Sequence, residues 1–95
     1  MISTKRQRGS KMFTNKLDNG RNNVCGVTIA THRKLLGKSQ RELADDLQRL
    51  GLDVDKNAIQ RIEAGKRFVT DIELVYIRMA LNLSFEELLS DSPFK

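Results

Sequence analysis

Three segments of this chain carry the same helix-start signal. Ser39-Gln40-Arg41-Glu42, Thr70-Asp71-Ile72-Glu73 and Ser84-Phe85-Glu86-Glu87 each set a hydroxyl residue three positions before a glutamate, at the head of an apolar-periodic stretch. In that spacing the hydroxyl oxygen accepts from the backbone N–H of the glutamate. The glutamate carboxylate accepts from the N–H of the hydroxyl residue. Three such boxes in 95 residues define three helix starts. Nothing in the chain alternates apolar and polar residues at the period of a strand. The expectation is an all-α fold.

Glycines supply the stops. Asn23 can cap a first helix running from Val24 to about Leu36 and ended by Gly37, with Gly26 weakening its first turn. The second helix runs from Gln40 to Leu50 and stops at Gly51. Asp55 caps a short third helix over Lys56 to Glu63, stopped by Gly65. The fourth spans Asp71 to Leu81 and the fifth Phe85 to about Ser90, where Pro93 forbids much continuation. The predicted core takes Ile29 and Leu36 from the first helix and Leu43, Ala44, Leu47 and Leu50 from the second. Ile59 and Ile62 come from the third, and Leu74, Ile77 and Leu81 from the fourth, with Ile72 and Val75 flanking. Phe68, Leu83, Phe85, Leu88 and Leu89 close the base. No helix this short buries its own stripe, so the five must pack as one globule.

Charge divides the chain. The net charge is +5. Residues 1–23 hold Lys5, Arg6, Arg8, Lys11, Lys16 and Arg21 against Asp18 alone, so the excess lies there and residues 24–95 sum to zero. The expected organisation is a basic, mostly flexible leader over 1–23 and one helical domain over 24–95, with no second domain. Phe13 and Leu17, four apart, could form one helical turn docked on the domain. The leader reads equally as a solvated tail and as a DNA-contacting arm.

Several function classes drop out. Aromatics are 5% of the residues, too few for a base-stacking binder of single strands. Cys25 is the only cysteine and His32 the only histidine, so neither a disulfide nor a metal site is expected. His32 reads as a surface residue. Cys25 could be activated by a helix N-terminus, but a half-buried inert thiol is the preferred reading. Glu42, Asp45 and Asp46 read as a solvated face. There is no Gly-rich phosphate loop or nucleophile elbow, so no enzyme activity and no cofactor are expected. No apolar run suits a membrane span or a signal peptide, which makes a cytoplasmic location the expectation.

The third helix has a lopsided surface. With Ile59 and Ile62 turned inward, Lys56, Asn57, Gln60 and Arg61 face out. Lys and Arg donate to guanine O6 and N7, and Asn and Gln read adenine N6 and N7. Any wet helix face can hold such residues, so context has to decide. Gln40 opens the second helix, where its side chain and the free N–H groups of the first turn can meet a phosphate. Lys66 and Arg67 follow the third helix and can grip the backbone beyond the groove. Ala44 is small enough for a close crossing of the two helices, as in a helix-turn-helix.

Residues 33–89 resemble the lambda-repressor-like DNA-binding domain of the Cro and phage-repressor (xenobiotic-response-element) type. The resemblance rests on Arg33 four before Gly37, on Ser39-Gln40-Arg41-Glu42-Leu43-Ala44, and on the run from Asn57 to Arg67. Ile77 to Leu81 and Ser84 to Leu89 complete it. It implies a compact five-helix fold, a bacterial or phage setting and sequence-specific binding of double-stranded DNA, often as a homodimer. By that resemblance the recognition helix covers 55–63. Gln40 takes the phosphate-clamping position, Lys56, Asn57 and Arg61 the base-reading positions, and Gln60 a neighbouring one. The resemblance also pairs Arg33 with Glu63 in a structural salt bridge.

Two departures stand out. Members of that family usually reach the recognition helix soon after the leucine matching Leu47, whereas here Gln48 to Asp53 intervene. The expectation is a second helix about a turn longer and a lengthened turn. Arg78 stands where a small buried alanine is common, so either its guanidinium reaches outward or the fourth helix is rotated. The first functional reading is a transcriptional regulator, a repressor, pairing through the fifth helix and tail with Leu88, Leu89 and Phe94. The rivals are an antitoxin-type protein that neutralises a toxin or other protein partner, and a protein-interaction module with weak or no DNA binding. The neutral charge of residues 24–95 favours the last.

Overall fold

The computed structural model describes residues 16–90, in which the only regular elements are five helices: α1 (Gly26–Leu35), α2 (Gln40–Leu50), α3 (Lys56–Glu63), α4 (Asp71–Leu81) and α5 (Phe85–Leu88). All three capping boxes are closed. Ser39, Thr70 and Ser84 accept from the backbone N–H groups of Glu42, Glu73 and Glu87 at 3.0–3.1 Å. The three carboxylates return the bond at 2.8–3.0 Å.

The helix ends share one device as well. After α1, α2, α3 and α4 the chain enters the left-handed region at Gly37, Gly51, Gly65 and Asn82. The following N–H then reaches back to the carbonyls of Arg33, Leu47, Arg61 and Arg78 at 2.9–3.1 Å. This pairing satisfies carbonyls that the last helical turn leaves open.

α1 starts later than Val24. Asn23 Oδ1 accepts from Gly26 N at 2.9 Å, while Asn23 Nδ2 donates to Ile62 O and Arg67 O, each at 2.9 Å. Asn23 therefore ties the start of α1 to the end of α3. α5 stops at Leu88, short of Ser90.

α2 packs on α3 and α4, α1 on α3, α4 and α5, and α4 on α5. The core gathers Ile29, Leu43, Ala44, Leu47, Ile59, Ile62, Ile77, Leu81, Leu83 and Leu88. Val54 and Cys25 join it, the first from the α2–α3 turn. Several expected core residues are outside. Leu36, just past the end of α1, and Leu50, the last residue of α2, are 52% and 41% exposed. Phe68 in the α3–α4 connection, Ile72 and Val75 on α4, Phe85 on α5 and Leu89 just after it are exposed too. Arg78 reaches outward, its guanidinium carbon 5.2 Å from the centre of the Phe85 ring, an attractive cation–π placement that gives Phe85 its role at the surface.

The helical unit starts upstream of the expected boundary at residue 23. Asn22 N donates to Gly65 O at 2.7 Å, Asn22 Nδ2 to Lys66 O at 3.2 Å and Lys16 Nζ to Asn22 Oδ1 at 3.1 Å. Leu17 lies in a turn, its carbonyl accepting from Gly20 N at 2.8 Å. Phe13, its expected helical partner, lies outside the described residues, as do Lys5, Arg6, Arg8, Lys11 and Phe94.

Candidate nucleic-acid interface

α3 is an eight-residue helix with a dry face and a wet one. Ile59 and Ile62 are almost fully buried, and that fixes the rotation of the helix. Lys56, Asn57, Gln60 and Arg61 are all exposed on the opposite face, at positions one turn apart. Asp55 caps the helix by accepting from Ala58 N at 2.9 Å. Lys66, exposed, follows the C-terminal end.

The turn that presents α3 is long but held. Leu52 N bonds Leu47 O at 2.9 Å, and Val54 N bonds Leu52 O at 3.0 Å. Val54 is buried, and its carbonyl accepts from Gln48 Nε2 at 2.7 Å. Gln48 belongs to the last part of α2, so the added helical turn braces the added loop.

Glu63 ends α3 and organises the space between three helices. Arg33 grips it with two parallel bonds, Nε to Oε2 at 2.8 Å and Nη2 to Oε1 at 3.0 Å. Arg33 Nη1 donates to Lys38 O at 2.8 Å. The two side chains are 9% and 8% exposed. The bond to Glu63 pushes the Arg33 guanidinium further above its ordinary value. Gln40 Nε2 donates to the same Glu63 Oε1 at 2.9 Å. The first side chain of α2 is thereby oriented from α3, with its remaining amide hydrogen available to an acceptor.

Arg67 behaves differently from Lys66. It holds Glu73 by two bonds of 3.0 Å and donates to Phe68 O at 3.0 Å. Its fork is committed within the α3–α4 connection, and Lys66 is the exposed cation there. The same pairing holds the Glu73 carboxyl below its ordinary value.

A family model, described as helix-turn-helix, matches residues 29–88 of the chain. The protein belongs to the helix-turn-helix family. It is a lambda-repressor-like domain, and as such a DNA-binding regulator of the Cro and phage-repressor type. Neither the curated proteins nor the solved structures include a match to this chain.

Within this helix-turn-helix domain the acids near α3 are largely taken. Asp55 caps α3, Glu63 is held by Arg33 and Gln40, and Glu73 by Arg67. On α2, Asp46 pairs with Lys38 and Arg49, and the Lys38 bond lowers its pKa. Residues 24–95, of zero net charge, thus still present Lys56, Arg61 and Lys66 as exposed cations. Cys25 is buried rather than half-buried, and burial pushes its thiol up to about 11, which removes the reading of an activated cysteine. His32 is partly exposed on α1. Among the described residues, no three His, Cys, Asp or Glu side chains gather as metal ligands would, and no helix is long and apolar enough to cross a membrane.

Arg21 is the residue that sequence reasoning missed. Its Nη2 donates to Glu63 O at 2.9 Å and Ile62 O at 3.5 Å, at the C-terminal end of α3. The available signal was Gly26 in the first turn of a helix, a position where glycine costs helix stability unless backbones approach closely.

Proposed function

We propose that the protein is a transcriptional repressor that lays α3 in the major groove of an operator duplex. The observation that carries this is the wet face of α3: Lys56, Asn57, Gln60 and Arg61 are exposed together, and Ile59 and Ile62 anchor their backs. Lys56, Asn57 and Arg61 read bases, Gln60 assists, and Gln40 and Lys66 hold phosphates. Arg67 reaches a phosphate only by leaving Glu73, so its role is to shape the α3–α4 connection. A single helix of this length reads a few base pairs, so the operator is bound by two copies on half-sites one DNA turn apart. Phe85 on α5 and Leu89 just after it remain exposed for that pairing, whereas Leu88 is fully buried in the monomer.

The upstream basic residues Lys5, Arg6, Arg8 and Lys11 add phosphate contacts. The experiment is selection from a random duplex library, followed by salt titrations of variants. Arg61→Ala relaxes preference at one base position per half-site. Lys66→Ala weakens all sequences alike and flattens the slope of log affinity against log salt by about one unit. Removal of residues 1–10, which contain Lys5, Arg6 and Arg8, flattens it by at most about three units and leaves base preference unchanged. An Arg61→Ala chain with unaltered preference refutes the assignment of α3.

A second reading, a module for a protein partner of the antitoxin kind, is favoured by one observation. Ile72, Val75 and Met79 form an exposed apolar stripe along α4, 64%, 42% and 49% exposed. Salt-independent or absent binding to duplex, together with a co-purifying partner lost on Val75→Glu, supports that reading instead.

A further inference from the structure

The C-terminal end of α3 is covered by the three residues Arg21-Asn22-Asn23. Asn23 Nδ2 and Arg21 Nη2 both donate to Ile62 O, and Arg21 Nη2 also to Glu63 O. Asn22 holds Gly65 O through its backbone N–H and Lys66 O through its amide. Helix carbonyls at this end have no intrahelical partner, and the macrodipole makes the end negative. A cation with several donors suits it.

The guanidinium lies in a narrow slot. A Cβ added at Gly65 would sit 2.7 Å from Arg21 Cζ, and one added at Gly26 would sit 2.5 Å from Arg21 Nη2 and 2.3 Å from Ile62 O. At Gly26 the α3 backbone and the arginine leave no room for a Cβ, while at Gly65 the left-handed backbone already calls for glycine and the arginine packs against its bare face. Arg21 Nε is buried there without a hydrogen-bond partner. An unsatisfied buried donor is unfavourable. A stability role for a cation at this end does not require it, because an ammonium on a flexible stem would neutralise the helix end without a trapped N–H. Both bonds leave the single nitrogen Nη2, and what the rigid guanidinium plane adds over an ammonium is a fixed direction for that nitrogen against Glu63 O and Ile62 O.

Those carbonyls belong to the turn that carries Arg61, and the strap continues onto Lys66. From this geometry we infer that Arg21 is a positioning residue for base selection: slotted between Gly26 and Gly65, it fixes the last turn of α3 and so the aim of Arg61. The inference rests on the reading of α3 as the base-reading helix and deepens it. Arg21 itself touches no DNA. Recognition side chains discriminate only when the backbone beneath them is held to a fraction of an ångström, and here the clamp lies behind the helix rather than on it.

The test uses the full chain with Arg21→Lys and Arg21→Ala, a selected duplex, and the same duplex mismatched at the base pair that Arg61→Ala relaxes. Affinities are measured across a salt series well below each melting temperature. The expected result for Arg21→Lys is a folded protein whose matched-to-mismatched affinity ratio falls about tenfold, within the range one good base contact supplies. Its salt slope stays that of the parent, because no phosphate contact is lost. A purely structural residue behaves otherwise: it lowers the melting temperature and the active fraction, and leaves the ratio alone. A folded variant with the parental ratio overturns the inference, and so do two variants that are both unfolded at the assay temperature. A parent chain that binds no selected duplex refutes the reading of α3 instead, and the inference falls with it.

Discussion

Replacing Glu63 by alanine removes the acceptor of three hydrogen bonds at once, from Arg33 Nε, Arg33 Nη2 and Gln40 Nε2. It leaves the Arg33 guanidinium in a site only 9% exposed, with Lys38 O as its remaining partner. Breaking one side of a buried ion pair costs about 3–5 kcal/mol, mostly the penalty of the charge left behind. Glu63 also ends α3, where the macrodipole disfavours an anion, so a small part of the loss is returned. Domains of this size have about 5–15 kcal/mol of total stability. Each kcal/mol moves Tm by roughly 4–8 °C, so Glu63→Ala should lower Tm by at least about 8 °C once that return is subtracted.

The assay is thermal and urea unfolding followed by far-ultraviolet circular dichroism, with Arg33→Met, Glu63→Leu and the double variant alongside. The double variant should recover a large part of the single losses, because it removes both charges and refills the space with apolar atoms. A Glu63→Ala protein that melts within a degree of the parent refutes the argument. A double variant whose loss equals the sum of the single losses refutes it as well, since the two groups would then not be coupled.

Acid titration provides a separate check. Glu73, with its carboxyl lowered by the bond from Arg67, contributes stability that is fully present above its ordinary value of 4.5 and is lost as pH falls through the lowered folded value. Glu73→Gln should flatten the unfolding curve below about pH 4.5, and an unchanged acid limb would show that the pair adds nothing. Cys25, with its thiol pushed up to about 11 in the core, should resist iodoacetamide at pH 8 in the folded protein and react fully in urea. Rapid native-state labelling would contradict its burial. Gln48→Ala removes the brace on Val54 O and should cost about 0.5–1.5 kcal/mol. It should also speed amide exchange in residues 51–55, and a turn with parental exchange rates would mean that Val54 alone holds it.

The limits of α2, α3 and α4 were legible from residue types because their signals are local. A hydroxyl residue and a glutamate three positions on satisfy each other within one turn at the starts of α2 and α4, Asp55 caps α3, and a left-handed residue just past the helix closes each, Gly51, Gly65 and Asn82 in turn. The wet face of α3 was legible for the same reason: once Ile59 and Ile62 turn inward, helical periodicity leaves Lys56, Asn57, Gln60 and Arg61 outside. What the sequence by itself did not determine depends on residues far apart in the chain. Asn23 looks like an ordinary cap, but its amide donors also bond carbonyls 39 and 44 residues away at the end of α3 and beyond. Leu36 and Leu50 continue their apolar stripes, yet the packed helices leave them 52% and 41% exposed. Arg67 and Lys66 are adjacent basic residues with no local difference, and the position of Glu73 alone turns one inward. Arg21 reads as one more charge in a basic leader until the backbones at Gly26 and Gly65 close around it. Caps and periodicity are chemistry within a few residues, whereas burial and pairing are set by which surfaces meet, and that exists only once the helices have packed.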